Sequence, residues 1–242
     1  MKDRSAQTGQ APTTGAPTTG VSRRRFLTQS SSAAVAGALI NLIWLDDAIA
    51  AIPASEGYLL VDTKKCQGCV SCMLACSLVH EGTESLSLAR IQVLQNPFEK
   101  FPADVTVEQC RQCVAPQCAE RCPTDAITAN DQFGNVRMVD KTKCIGCCIC
   151  LDACPHTPSR PLVASDSKFG GQAKGRKCDL CAAAPFHWDA RGGGPQGTQA
   201  CVEVCPMRAI QFTARIPNQA GDEGYKVDLR DDNWEALGFP RD

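Results

Sequence analysis

The chain has 242 residues and a formal net charge of -1, with 25 Lys and Arg against 26 Asp and Glu, 5% aromatics and 17 cysteines. A near-neutral balance offers no basic excess for phosphate backbones and argues against a nucleic-acid partner. So few aromatics are thin material for two conventional cores, and cysteine far above ordinary usage must do structural or chemical work. Bound metal is therefore expected to replace part of the apolar core.

Residues 1–21 carry the exact repeat APTTGAPTTG and no apolar periodicity, the composition of a disordered lead. Next comes Ser22-Arg23-Arg24-Arg25-Phe26-Leu27, followed by an apolar run from Ala33 to Leu45 and a small-x-small site at Ala48-Ile49-Ala50. The run is shorter than the ~20 residues needed to span a bilayer. The stretch resembles a twin-arginine signal, S-R-R-x-F-L, matching at every named position. Residues 1–50 are accordingly expected to be a lead and export signal, giving a periplasmic protein that reaches the membrane through its partners. No transmembrane helix of its own is expected.

Two short strands are predicted ahead of cysteine loops, at YLLVD and at VRMVD. The cysteines fall into four groups: Cys66, Cys69, Cys72, Cys76; Cys110, Cys113, Cys118, Cys122; Cys144, Cys147, Cys150, Cys154; and the split set Cys178, Cys181, Cys201, Cys205. Groups one and three have the bacterial ferredoxin spacing C-x2-C-x2-C-x3-C. In that spacing three thiolates wrap one cluster and the fourth, on the following helix, points to a second. Gly68 and Gly146 occupy equivalent places in their loops, where positive φ lets backbone N–H groups approach sulfur. Pro123, Pro155 and Pro206 follow the last cysteine of their groups and redirect the chain. Group one has Ser77 instead, so SCMLACSLVH is expected to continue as a helix.

An internal repeat ties the groups together. LVDTKKCQGC and MVDKTKCIGC align at an offset of 78, sharing Val61/Val139, Asp62/Asp140 and Lys65/Lys143, while CAERCPTDAI resembles CVEVCPMRAI at an offset of 83. Group one thus matches group three and group two matches group four, a duplicated strand–loop–helix unit.

Competing readings of the cysteines are weaker. Disulfides suit an exported chain, but thiols two residues apart have poor disulfide geometry. Zinc fits group four alone, Cys178-x2-Cys181 with Cys201-x3-Cys205, but not groups one and three, where a third cysteine follows. A zinc-and-disulfide scaffold predicts a colourless protein. Cys148, the odd cysteine, breaks no spacing and is expected to be a small buried filler. Lys65, Lys143 and Lys177 precede the first cysteine of their groups and read as solvated lysines, with tuning of the nearby centre as the alternative. His80, His156 and His187 have no partner at metal-ligand spacing and are left as ordinary residues.

Over roughly residues 57–215 these motifs resemble the four-cluster iron–sulfur subunits of the dimethyl sulfoxide reductase type. The resemblance implies an α+β fold of two ferredoxin-like (bacterial dicluster) domains with long irregular loops, one inserted in the other: 51–100 plus 170–242 holding groups one and four, and 101–169 holding groups two and three. It also implies the ligand sets. Cys66, Cys69 and Cys72 would act with Cys205; Cys178, Cys181 and Cys201 with Cys76; Cys110, Cys113 and Cys118 with Cys154; and Cys144, Cys147 and Cys150 with Cys122. Spacing alone leaves the pairing of one with two and three with four equally open. SLSLARIQV and EQCRQC also resemble polyferredoxin partners of tungsten or molybdenum aldehyde-oxidoreductase-like enzymes.

The function implied is electron transfer through four 4Fe–4S clusters. The chain would link a molybdopterin- or tungstopterin-type catalytic subunit to a quinone-interacting or cytochrome membrane partner, with no catalysis of its own. The alternative is an independent soluble periplasmic electron carrier.

Overall fold

The computed structural model describes residues 52–101, 103–221, 223–230 and 235–236. The export signal read at Arg23 and Arg24 lies outside the described residues. Among the described residues no helix is long and apolar enough to cross a membrane.

The described residues form eight short strands in four antiparallel pairs, joined by cysteine-bearing loops. β1 (Tyr58–Val61) pairs with β8 (Ile210–Thr213), placing Val61 opposite Ile210. β4 (Ile127–Asn130) pairs with β5 (Val136–Val139), placing Ile127 opposite Val139. β1 and β5 are the two strands predicted ahead of the cysteine loops. The strand entering group one therefore lies beside the strand leaving group four, and the strand leaving group two beside the strand entering group three. The duplication repeats in detail, since Asp62 N–H donates to the Ala209 carbonyl at 2.9 Å and Asp140 N–H to that of Ala126 at 2.8 Å.

Two further hairpins were not foreseen from the sequence. β2 (Ile91–Gln95) pairs with β3 (Val105–Gln109), and β6 (Leu162–Ser165) with β7 (Ala173–Arg176). The expected domain boundaries at 100/101 and 169/170 fall in the connections of these two hairpins.

Helices are few. α1 (Ser71–Glu81) is the continuing helix expected where Ser77 replaces proline, and it ends on Gly82 at φ 73°. α2 (Gln117–Glu120), α3 (Ile149–Asp152) and α4 (Ala200–Glu203) are single turns. Helices this short do not persist unaided, and isolated two-stranded sheets are marginal at best. The main apolar core is correspondingly thin. Five of its fourteen buried members are cysteines, Cys72, Cys76, Cys110, Cys178 and Cys201, beside residues such as Leu59, Ile91 and Leu180.

Candidate metal centres

Each C-x-x-C loop turns through one residue in the left-handed region just before its second cysteine. Gly68 (φ 66°) and Gly146 (φ 71°) take this place in groups one and three, as the glycines suggested. Gln112 (φ 49°) and Leu180 (φ 56°) take it in groups two and four. No glycine marks those two positions, so the sequence concealed that all four loops share one turn. A second equivalent pair, Val70 (φ 55°) and Cys148 (φ 65°), sits at the N-caps of α1 and α3.

The strand pairing brings cysteines from distant groups around common cavities. Cys66, Cys69, Cys72 and Cys205 line one of about 350 Å³, counting the space open at its mouth. Cys110, Cys113, Cys118 and Cys154 line a second of about 360 Å³, and Cys122, Cys144, Cys147 and Cys150 a third of about 360 Å³. Cys76, Cys178, Cys181 and Cys201 form the fourth quartet, in which every member is buried and the thiols of Cys76, Cys178 and Cys181 all act on Cys201. The structure thus brings together group one with four and group two with three. It does not pair one with two or three with four.

The surroundings of the sulfurs suit thiolates. The last cysteine of each group accepts a backbone N–H bond: Cys76 from Arg90 (3.3 Å), Cys122 from Ala126 (3.3 Å), Cys154 from Arg160 (3.3 Å) and Cys205 from Ala209 (3.2 Å). Cys144 accepts another from Gly175 at 3.2 Å. N–H bonds from Thr124, Ala126 and Ile127 outweigh the effect of burial on Cys122 and hold its pKa below the ordinary thiol value. Elsewhere burial dominates and neighbouring thiolates add to it, pushing Cys72, Cys113 and Cys150 up to about 12 and Cys118 to about 11. Four thiolates held this close are stable only around a cationic centre.

The donor set also selects the kind of centre. Among the described residues no three Cys, His, Asp or Glu side chains converge as a single ion requires. The quartets ring a volume instead of a point, which fits a polynuclear iron–sulfur centre better than a tetrahedral zinc. Buried charge has the complementary sign. The buried basic residues Arg111, Arg137, Arg160, Lys174, Arg176 and Lys177 outnumber the buried acids Asp62, Asp166 and Asp179. A buried cation excess is costly unless it faces anions, and a cubane with four thiolates carries about -2 when oxidised.

Three expectations need correction. Cys148 is exposed, not a buried filler: it caps α3 in the place that Val70 takes at α1 and has its side chain against the Gly146 carbonyl at 3.5 Å. Lys177 is not a solvated lysine. It is 1% exposed, donates to the carbonyls of Arg137 and Cys178, and lines the Cys110 cavity. Lys143 is exposed as expected, and Lys65 donates to the Leu229 carbonyl at 2.8 Å. Two of the three histidines are not bystanders either. His156 Nε2 lies 3.5 Å from Cys113 Sγ. His80, one helical turn after Cys76, bonds the Cys76 carbonyl through Nδ1 (2.7 Å) and Asp179 through Nε2 (2.9 Å). Burial opposes a charge on His80, but the Asp179 carboxylate outweighs it and lifts the pKa to about 9, so both ring nitrogens donate. Asp179 also takes Arg90 at 2.6 Å. Burial alone would raise its pKa, yet these two cations hold it well below the usual carboxylate range. The one signal available in sequence was the i, i+4 spacing of Cys76 and His80 on a helix; Asp179 is 99 residues away from His80.

Small antiparallel sheets joined by loops of closely spaced thiols define a ferredoxin-type iron–sulfur protein. The family described as 4Fe–4S dicluster domain matches residues 102–215. The putative electron transport protein YsaA of Escherichia coli (strain K12) is 35% identical over 161 residues, covering 64% of this chain and 87% of that protein. The polyferredoxin-like subunit of an aliphatic sulfonate oxidoreductase from Pyrococcus furiosus is 35% identical over 148 residues, covering 61% and 70%. The beta subunit of the NADH-dependent phenylglyoxylate dehydrogenase of Aromatoleum evansii is 34% identical over 183 residues; the alignment spans 74% of this chain but only 33% of that relative. The chain belongs to the 4Fe–4S dicluster family, whose relatives here are named as electron-transport proteins and iron–sulfur subunits of oxidoreductases. It is an iron–sulfur protein of the 4Fe–4S ferredoxin type, in a mixed α+β fold.

Proposed function

We propose that the chain holds four 4Fe–4S clusters in series and relays single electrons between a molybdenum- or tungsten-type catalytic subunit and a quinone- or cytochrome-linked membrane partner. The ligand sets are the four quartets above, arranged in two ferredoxin-like domains of the dimethyl sulfoxide reductase type, one inserted in the other. The clusters supply one-electron redox chemistry when bound, and the protein holds, spaces and insulates them.

The observation that carries this reading is that thiols of successive quartets lie within one another's electrostatic reach. Cys72 of the first quartet acts on Cys201 of the second, Cys110 on Cys178 at the next junction, and Cys118 on Cys150 at the last. The quartets therefore follow one another in a line. Exposed thiols, Cys69 and Cys147, sit at its two ends, while the quartet of Cys76, Cys178, Cys181 and Cys201 is buried throughout. A path whose fully exposed ligand thiols lie at its ends suits a relay.

A subunit is favoured over a free carrier by the apolar surface beside one end. In the β2–β3 connection Phe98 is 93% exposed and Phe101 54% exposed, and Gln95 of the same hairpin donates to the Gly68 carbonyl beside Cys69 at 3.5 Å. Large exposed aromatics of this kind mark contact sites. The Ser22–Leu27 motif supports export by the twin-arginine route, which carries proteins already folded. Clusters assembled in the reducing cytoplasm would then cross with their thiolates ligated, since folding and metal binding are one event.

The test is direct. The purified native chain is expected to carry about sixteen iron and sixteen acid-labile sulfide, with four interacting spin systems on full reduction. Zinc, or fewer than three clusters, refutes the reading. Gel filtration of the native protein separates its two forms: a subunit elutes with a larger redox partner, and a carrier runs alone.

A further inference from the structure

The four quartets have similar ligands but very different charged surroundings. The cavity of Cys110, Cys113, Cys118 and Cys154 is lined by Arg111, Arg137, Arg160, Lys177 and His156. No charged side chain lines the cavity of Cys66, Cys69, Cys72 and Cys205, or that of Cys122, Cys144, Cys147 and Cys150, among the described residues. The quartet of Cys178 has an anion beside it, Asp179, whose field acts on both Cys178 and Cys181. The residue following the first cysteine of each motif states the difference compactly: Gln67, Arg111, Ile145, Asp179. One of the four is cationic and one anionic, at equivalent places in the loop.

Not all of the positive charge is free to act on the cluster site. Arg160 pairs with Glu108, and Arg111 lies 3.9 Å from the same carboxylate while stacking over the Tyr225 ring at 4.8 Å. Two arginines thus share one acid. Arg137 and Lys177 are different. Arg137 donates to the carbonyls of Asn135 (2.8 Å) and Val114 (3.3 Å), and Lys177 donates to those of Arg137 and Cys178. Among the described residues neither forms an ion pair with a carboxylate, and both are 1% exposed. Their fields reach the thiols: Arg137 acts with Cys110, Cys113 and Cys118, and Lys177 acts on Cys118.

Reduction adds one negative charge to a cluster, so buried cations favour it; Arg137 has no carboxylate in its field, while Lys177 also acts on Asp179. Sulfur-directed N–H bonds are most numerous at the quartet of Cys122 and Cys144, but such dipoles act more weakly than a full charge held inside a low-dielectric wall. Every quartet has four thiolates, and every one accepts at least one backbone N–H bond at its remote cysteine. Water at the end quartets raises their potential too, but bulk solvent reaches them chiefly through an exposed thiol and screens as it solvates. A cation inside a low-dielectric wall acts at close to full strength.

From this we infer that the Cys110–Cys113–Cys118–Cys154 centre is the highest-potential cluster of the four, poised by Arg137 and Lys177, and is where an electron rests in the partly reduced protein. The inference rests on the four-cluster reading. Arg137 and Lys177 act as positioning charges, without touching iron. The cluster next to it lies beside Asp179, but Arg90 and His80 pair with that carboxylate and offset its field, so no cation excess like that of Arg137 and Lys177 acts there.

The experiment is a potentiometric titration of the purified holoprotein, followed by electron paramagnetic resonance, with iron and sulfide measured on each sample. The first signal to appear on stepwise reduction is expected to be the one whose g values change in Cys113→Ser. Lys177→Gln and Arg137→Gln each lower that potential by about 59 mV, a tenfold change in the reduction equilibrium for one electron, and leave the other three signals within a third of that. Arg137→Lys, which keeps the charge, restores the wild-type value. A first signal untouched by Cys113→Ser overturns the inference without requiring any charge variant to fold. Equal shifts of all four signals, or none, overturn it as well. Iron near sixteen with the wrong order sinks this inference alone, whereas iron well below sixteen sinks the four-cluster reading with it.

Discussion

Gly68 and Gly146 are equivalent in sequence and nearly so in backbone, at φ 66° and 71°, yet alanine should be tolerated very differently at the two. Either substitution puts a Cβ in the left-handed region, which costs about 1–2 kcal/mol. At Gly68 the new carbon meets Gln95 Nε2 at 2.4 Å, the far end of a flexible side chain that makes only a 3.5 Å bond there. That amide can swing aside. At Gly146 the new carbon meets the backbone oxygen of Ala173 at 2.4 Å and its carbonyl carbon at 2.9 Å. Ala173 opens β7, which also supplies the Gly175 N–H to Cys144 Sγ and the Lys174 ammonium to the Cys144 carbonyl at 2.7 Å. Relief of the clash must therefore move a strand that holds the loop. Forced displacement in packed structure costs about 1–3 kcal/mol, and a weakened hydrogen bond about 1 kcal/mol more.

The sums are about 1–2 kcal/mol for Gly68→Ala and about 3–6 kcal/mol for Gly146→Ala. Their difference of about 2–4 kcal/mol is on the order of a 30- to 700-fold difference in opening equilibrium. Iron release to a colourless chelator, measured under conditions where opening is fast relative to capture, reads that ratio. Gly146→Ala is expected to lose the iron of the Cys144 loop at least tenfold faster than Gly68→Ala loses that of the Cys66 loop. Equal rates, or a faster loss in Gly68→Ala, would show that loop strain alone matters and that β7 does not brace the site.

Cys148→Ala is expected to retain the wild-type iron content, because its side chain is exposed and held only against a carbonyl, whereas Cys147→Ala loses one cluster's iron; iron per chain decides. Asp179→Asn leaves Arg90 and His80 without their buried carboxylate and should cost about 3–5 kcal/mol, seen as a lower thermal midpoint of the holoprotein by circular dichroism. Asp166 has its pKa lowered, burial being outweighed by Lys141 at 2.9 Å and by Arg176. Its contribution is therefore present above the unfolded carboxylate value and lost as pH falls through the folded one. The stability gap between wild type and Asp166→Asn should stay flat from pH 7 to about 4 and close below that; a gap that widens on acidification contradicts the pairing. Replacing Arg23 and Arg24 by Lys should leave brown protein in the cytoplasm, and undiminished export in fractionated cells rules out the twin-arginine assignment.

What the sequence disclosed was local. The C-x2-C spacings, the glycines at 68 and 146, the two strands ahead of the loops and the unbroken α1 all follow from a few contiguous residues. Which groups face each other did not follow, because that is decided by strands about 150 residues apart pairing at Val61 and Ile210. Gln112 and Leu180 hid the shared turn because tertiary context, not residue preference, forces their positive φ. The buried arginines and lysines were least legible. In sequence Arg137 and Lys177 are indistinguishable from solvated charges, and a cation is buried only where something anionic faces it. Cys148 failed for a related reason: a cysteine is expected inside by habit of its type, but here it occupies a capping position at an exposed loop.

The duplication explains why matched loops and unmatched charges coexist in one chain. Copying a loop copies its ligands, its turn and its sulfur-directed N–H, all of which depend on backbone geometry that a cluster enforces. Ala126 and Ala209 still donate to Cys122 and Cys205 at 3.3 and 3.2 Å, and Asp62 and Asp140 still make the same strand contact. Side chains between the ligands are under no such constraint, and there the copies have diverged to opposite charge, Arg111 against Asp179. If the halves had retained identical surroundings, adjacent centres would be close to isoenergetic and the line of thiol quartets would have no internal step. The divergence sits at the two inner quartets, where low dielectric gives a charge its largest effect. The outer quartets, with exposed Cys69 and Cys147, have neutral linings, so on the four-cluster proposal their centres would be the ones most open to adjustment by a docked partner.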